Sequence, residues 1–232
     1  MIKIKKIIPT ALLLTSISSA ALADNWNVGA SASYGNIDGT AKDTQTTGAG
    51  AVVAQTRGAT SGDADFPFGS IFVEYAKTMN KDLDLIIGLD YVPFKAEIDS
   101  KSFSDTSLEA STTGTGTRRA KLELENYATL YLQPTYKIGG GTAVYGKVGY
   151  IHGDVKISGS NAATSSTINA TDTLNGYTVG LGVQHNLNKN LFVRLEGNFT
   201  AHDDVTATDS KGTKFTADSE LIAGKLSIGY SF

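Results

Sequence analysis

Six charged residues stand at alternate positions inside stretches otherwise made of apolar, small or uncharged polar residues: Glu74, Asp90, Lys147, Arg194, Glu196 and Lys225. Three acids and three bases at similar depth have two uses. Enclosed away from water they must pair with one another, because an unpaired buried charge is very costly. Given freedom to exchange partners, they would instead gate the passage of a small ion. Other candidate chemistry is thinner. His152 and the serines have no spacing that links a base to a nucleophile, and His185 falls near the end of an alternating stretch. Asp203, Asp204, Asp209 and Asp218 would hold a calcium ion weakly, since no loop has the ligand spacing of a dedicated site. With no Cys, thiolate metal sites, disulfides and thiol nucleophiles are excluded together. No catalytic residue, metal site or cofactor is expected.

The elements that carry the six charges are set by a period of two, which is the strand period. Trp26, Val28, Ala30, Ala32 and Tyr34 alternate with Asn27, Gly29, Ser31 and Ser33. The pattern returns around Ile71 to Ala76, Leu83 to Tyr91, Glu125 to Tyr136, Val144 to Ile151, Tyr177 to Gln184, Leu191 to Thr200 and Ile222 to Phe232. That makes eight strands, and in each one the charges keep to a single face. Phe72, Ile86, Tyr131, Tyr145 and Phe192 share that face. Pro134 lies within the fourth strand, where it removes a ladder donor, and predicts a bulge or a frayed rim.

Short and long connections alternate. Met79 to Asp82, Gly139 to Gly141 and Asn188 to Asn190 are tight turns in which Gly and Asn tolerate positive φ. Residues 36–67, 97–119, 156–172 and 205–216 read as long polar loops. All four long loops then emerge at one end of an antiparallel up-and-down barrel, with both termini at the other. Asn80-Lys81-Asp82-Leu83 and Asn188-Lys189-Asn190-Leu191 form a weak internal repeat, each opening a strand.

Alternation alone suits a soluble barrel equally well, and the aromatic residues separate the two. Trp26 and Tyr34 lie on the apolar face at a spacing that spans about 20 Å along the axis of a tilted strand, close to the height of an outer-membrane apolar band. Trp26, Tyr75, Tyr136 and Phe232 gather at the short-turn end of that face, and Tyr34, Tyr91, Tyr150, Tyr177 and Phe199 towards the long-loop end. Two aromatic girdles mark a membrane barrel.

The last residues, Leu226-Ser227-Ile228-Gly229-Tyr230-Ser231-Phe232, put Leu226, Ile228, Tyr230 and Phe232 on one face and end on an aromatic. This resembles the terminal signal by which bacterial outer-membrane barrels are recognised for insertion. Together with Asn188 to Glu196, it is similar to the porin-like small-barrel family that includes opacity proteins and OmpA-type membrane domains. The resemblance implies an all-β, eight-stranded transmembrane β-barrel in a Gram-negative outer membrane, with long loops extracellular and both termini periplasmic. It further implies outer-membrane lipid as surroundings, and the barrel-assembly machinery and periplasmic chaperones as partners during biogenesis. The chain ends at the barrel, which puts a peptidoglycan-anchoring role in doubt. His202-Asp203-Asp204 at the loop end superficially resembles outer-membrane proteases, but those are larger barrels, and an enzyme is not expected.

The first residues fit the same compartment. Lys3, Lys5 and Lys6, the apolar stretch Ile7 to Ile17 and Ala21-Leu22-Ala23 read as a signal peptide over residues 1–23, cleaved before Asp24, leaving a barrel domain over 24–232. A net charge of -3 gives no support to nucleic-acid binding. Residues 48–55 form a short apolar run suited to a lid, and Arg118 and Arg119 are placed to meet lipid phosphates or solvent. Two functions remain: a barrel with a plugged polar lumen serving a structural or surface-interaction role, or a narrow porin-like channel passing ions or small solutes. The external ligand is not legible.

Overall fold

The computed structural model describes residues 24–46, 54–56, 60–106, 115–161, 166–208, 210 and 214–232. Residues 1–23, read above as a signal peptide, most of the apolar run 48–55 and Asp209 lie outside them. The strands are β1 (Asp24–Thr46), β2 (Ala54–Thr56), β3 (Thr60–Thr78), β4 (Leu83–Tyr91) and β5 (Ala96–Thr106), then β6 (Thr115–Gly139), β7 (Thr142–Asn161), β8 (Ser166–Asn186), β9 (Leu191–Thr208) and β10 (Lys214–Ser231). Every pairing is antiparallel. The ring runs β1, β3, β4, β6, β7, β8, β9, β10 and back to β1, which gives eight staves. β5 continues the stave of β4 along β6, and β2 pairs with the far end of β1. Closure is completed at the terminus, where the Trp26 amide donates to the Phe232 carbonyl at 3.1 Å and the Phe232 amide returns the bond at 3.0 Å.

The tight turns follow from their residues. In the Asn80 turn the side-chain Oδ1 accepts from the amides of Asp82 and Leu83, both at 3.0 Å. The Asn188 turn repeats this with Asn190 at 2.9 Å and Leu191 at 2.8 Å. The internal repeat is therefore one turn device used twice. Gly139, Gly140 and Gly141 all hold positive φ, at 97°, 61° and 73°, a conformation that costs other residues dearly.

The four stretches read as long loops are mostly strand. β1 and β3, β5 and β6, β7 and β8, and β9 and β10 all run on as extended hairpins. Their Thr- and Ser-rich sequences suit a pleated backbone, and with apolar residues such as Ile37, Phe66 and Val205 only scattered among them they carry no continuous alternation to read. Pro134 keeps an unbroken register with Leu85 on β4, while on the β7 side neither it nor Gln133 has a register partner and a shift follows at the rim between Lys137 and Gly139. A second irregularity is higher in β6, between Glu125 and Ala128, where Asn126 adopts φ 53°. That bulge turns Leu124 inward, against the phase below it.

Apolar side chains face out and polar ones face in. Leu89, Leu130, Val148, Leu181, Leu195, Leu226 and Ile228 are all exposed on the outer surface. Trp26 and Tyr75 pack at 5.4 Å, Tyr150 and Tyr177 at 5.5 Å, and Tyr230 and Phe232 at 5.9 Å. Tyr34, Tyr136 and Phe199 are likewise exposed, and Tyr91 is half-buried.

Candidate functional site

The six charged side chains meet inside the barrel as three ion pairs. Arg194 on β9 grips Glu74 on β3 with two parallel bonds, Nη1 to Oε1 at 2.5 Å and Nη2 to Oε2 at 2.8 Å. Such a fork is among the strongest polar contacts a protein makes. Lys147 on β7 reaches Glu196 on β9 at 2.6 Å, and Lys225 on β10 reaches Asp90 on β4 at 2.5 Å. No pair joins neighbouring staves. β1 and β10 separate Glu74 from Arg194, and β8 separates Lys147 from Glu196. The pairs are chords across the lumen, so each one ties together parts of the wall that the backbone ladder does not connect directly.

The surrounding groups leave little of this charge unsatisfied. Glu74 also accepts from Asn27 Nδ2 at 3.0 Å and the Tyr131 hydroxyl at 2.6 Å. Arg194 Nε donates to Gln184 at 2.8 Å. Its guanidinium lies 4.6 Å from the Phe192 ring centre and 5.6 Å from those of Phe72 and Tyr145. Lys147 sits 4.4 Å from the centre of the Tyr131 ring, and Glu196 accepts from the Tyr145 hydroxyl at 2.8 Å. Glu74 is 1% exposed and Arg194 3%. Burial at this level is tolerable only because each charge is both paired and hydrogen-bonded.

The aromatics fit because glycines face them. Gly29 is register partner to Phe72, Gly88 to Tyr131, Gly182 to Tyr145 and Gly229 to Phe192. A Cβ on any of these four glycines would come within 2.4 Å of the partner's ring. Each ring therefore lies down across the neighbouring strand and into the lumen axis. In sequence these glycines look like ordinary members of the inward face, and only the register exposes their role.

Below the charge layer, towards the tight turns, Gln133 and Thr135 form a buried polar floor. Above it the lining changes character. Phe66, Val92, Leu124, Tyr127, Ile151, Leu174 and Leu221 form one buried apolar cluster, with Phe68 packed against it. The polar lumen expected from the sequence is thus its lower part, and an apolar layer lies above it. Phe66 lay in a presumed loop, and Leu124 lies beyond the phase break at Asn126. Between layer and cluster is a cavity of about 50 Å³, lined by residues that include Ser33, Asp90, Lys147, Thr178, Glu196 and Lys225. Ser33 Oγ, Ser70 Oγ and Gln133 Oε1 are buried without a hydrogen-bond partner among the described residues.

The remaining candidates are dispersed. His202 lies at the mouth, bonded through Nδ1 to Ser219 Oγ at 3.1 Å and through Nε2 to the Tyr127 hydroxyl at 3.3 Å. His152 meets Asn175 on the outer face at 2.9 Å, and His185 meets Thr142 at 3.0 Å. Asp203, Asp204 and Asp218 are exposed, and no cluster suited to a metal ion occurs among the described residues. The backbones of Arg118 and Arg119 pair with Asn161 and Ser160 near the top of β6, and their side chains lie outside the described parts.

A profile described as outer membrane protein beta-barrel domain matches residues 10–220. No curated protein matches the chain significantly. Among solved structures, OprG from Pseudomonas aeruginosa is similar at 17% identity and a TM-score of 0.53, over 90% of this chain and 95% of that one. Ail, the attachment invasion locus protein of Yersinia pestis, is 14% identical with a TM-score of 0.43, over 87% and 98%. The outer membrane protease OmpT from Escherichia coli is 11% identical with a TM-score of 0.47, over 89% and 97%.

Proposed function

Because this chain belongs to the outer membrane protein beta-barrel domain family of the Gram-negative envelope, we propose that it is a sealed barrel with a structural and surface-display role rather than a channel. The observation that carries this reading is the sequence of fillings down the lumen. An apolar cluster, a layer of three ion pairs and a polar floor follow one another, with a cavity of only about 50 Å³ between the first two. Ions leaving water would meet an apolar constriction first, where the loss of hydration opposes passage. They would then meet charges already neutralised by partners.

In this reading the two aromatic girdles seat the barrel in the bilayer. The long hairpins stand on the extracellular side, and the tight turns and both ends of the mature barrel lie in the periplasm. Leu226, Ile228, Tyr230 and Phe232 face outward in a row on the closing strand, where the barrel-assembly machinery would read them. The protein acts without a cofactor and without catalysis. The protease activity of OmpT is a property of that protein; here His202 is engaged by a serine and a tyrosine, at a cavity also lined by Asp38, Asp63, Asp218 and Glu220.

Liposome swelling in a small neutral solute tests the reading. Proteoliposomes should swell no faster than empty ones. Swelling at the rate of an open porin would favour the narrow-channel alternative, for which the small cavity beside Lys147 and Lys225 is the structural support.

A further inference from the structure

The internal repeat is longer than its turn chemistry requires. Met79-Asn80-Lys81-Asp82-Leu83 and Leu187-Asn188-Lys189-Asn190-Leu191 share an apolar residue at each end as well as the Asn and the Lys. In the first, the amides of Met79 and Asn80 donate to the Leu83 carbonyl at 2.9 and 3.2 Å, and in the second those of Leu187 and Asn188 donate to the Leu191 carbonyl at 2.8 and 3.3 Å. The Asn side chain caps both bends, which accounts for the Asn alone. The backbone demands neither the lysine at the tip nor the apolar residue before the Asn. Met79 and Leu187 are both more than half exposed, Lys189 is exposed, and the Lys81 side chain is 89% exposed.

Met79 continues the outward phase of Val73 and Tyr75, and Leu187 that of Leu181 and Val183. Ile138, at the remaining tight turn, continues that of Tyr136 and is exposed to the same degree. In the ring these turns join β3 to β4, β6 to β7 and β8 to β9, and the two chain ends meet between β10 and β1. The two Asn-Lys turns therefore stand on opposite sides of the barrel, with Ile138 and Phe232 between them. Height agrees with a shared level. Trp26 and Tyr34 span only about 20 Å along the axis, whereas Tyr177 and Leu187, ten residues apart on β8 and its turn, span about 25 Å, the full height of an outer-membrane apolar band. The apolar surface thus runs on past the lower girdle into the turns. Positive charge waits there. Lys189 has no acidic partner among the described residues, and Lys81 has only the exposed Asp82 at 3.7 Å, because Asp84 is taken by Lys137 and Thr78.

We propose that the two Asn-Lys turns are headgroup anchors, each seating its Met79 or Leu187 at the edge of the acyl region and setting its lysine against the phosphate of an anionic phospholipid in the periplasmic leaflet. The inference rests on the membrane reading above, with the tight turns on the periplasmic side. Continuity with the lipid-facing surface selects a phospholipid as the occupant, and the lysine selects an anionic one. A lysine suits this place because its stem lies along apolar surface while its ammonium stays among polar groups. Two such anchors on opposite sides of the ring fix the depth of the barrel and its tilt together.

The single tryptophan of the chain is the probe. Trp26 packs on Tyr75 of β3, the strand that leads into the Lys81 turn, and lies away from the Lys189 turn. The protein is refolded into phosphatidylcholine vesicles containing phosphatidylglycerol, and Trp26 fluorescence is read with bromine on the acyl chains of one lipid or the other. Both brominated lipids should quench, and at low salt phosphatidylglycerol should quench as a lipid enriched about fivefold at the site. Lys81→Gln should abolish the enrichment and Lys189→Gln should leave it. Both side chains are exposed, so neither change threatens the fold. A bimane on Leu187→Cys, in a chain that has no other cysteine, should be quenched by brominated lipid and shielded from aqueous iodide. If neither brominated lipid quenches Trp26, the membrane reading itself is overturned. Equal quenching by the two lipids overturns headgroup recognition and leaves the membrane reading intact. Enrichment that survives Lys81→Gln overturns the lysine as the contact, and a bimane quenched by iodide alone overturns the apolar seat.

Discussion

Glu74 and Arg194 face each other across the lumen from strands three places apart in the ring, and their side chains join through two parallel hydrogen bonds. The pair is a brace. It holds β3 to β9 independently of the backbone ladder, and it leaves neither charge free to attend a passing ion.

Removing one end of that brace should be more damaging than removing both. Glu74→Ala strands a guanidinium that is 3% exposed, and breaking a buried pair this way typically costs about 3–5 kcal/mol, less where lumen water reaches the orphan. Replacing both residues by apolar ones should cost less than the two single changes summed. Urea unfolding of the barrel in detergent micelles measures this. The coupling should appear between Glu74 and Arg194, and be much smaller between Glu74 and Lys147 or Lys225.

Gly88→Ala and Gly182→Ala should each destabilise the barrel by about 1–3 kcal/mol, the usual cost of overpacking. The added methyl meets the ring of Tyr131 in one case and Tyr145 in the other. Shortening the ring should relieve it: Gly88→Ala with Tyr131→Leu is expected to be less destabilised than the sum of its parts. Gly224→Ala, where a methyl meets nothing within 4 Å, is the control and should unfold like the parent.

The charge layer was legible in the sequence because its six residues fall on the inward phase of strands with a clear apolar partner face. Which acid meets which base was not, since pairing across the lumen depends on stagger, and stagger depends on the register of every intervening strand. The apolar upper lumen was hidden for a different reason. The bulge at Asn126 reverses the phase in β6, and the extra residue of β9 opposite Ala217 and Ser219 does the same near the top of β9. Pro134 was legible only in part: the missing donor is absorbed on the β4 side without a change of register, and the ladder is interrupted on the β7 side alone.

Deleting Phe232 removes the last member of the outward row and the backbone bonds that join it to Trp26 at the closing seam. The variant should accumulate in the periplasm and lose the heat-modifiable gel mobility of a folded barrel. Normal insertion would show that the terminal row is not the assembly signal.

Well above the outer girdle, a hydrogen bond from Lys121 holds the Glu123 carboxyl below its ordinary value of 4.5. A carboxyl shifted in this direction contributes to stability above its ordinary value, and the contribution is lost as pH falls through the lowered one. In Lys121→Ala the Glu123 midpoint should rise towards 4.5, as followed by carbon NMR of the labelled carboxyl. An unchanged midpoint would show that the ion pair does not form in solution.

Single-channel recording in a planar bilayer tests the sealed lumen most directly. The native barrel should be electrically silent at moderate voltage and salt. Ile151→Asp together with Glu74→Ala, which wets the apolar cluster and opens the charge layer at once, should produce discrete conducting steps if the variant inserts. Stable ohmic steps from the native protein, unchanged in the variant, would contradict a lumen closed by these two layers.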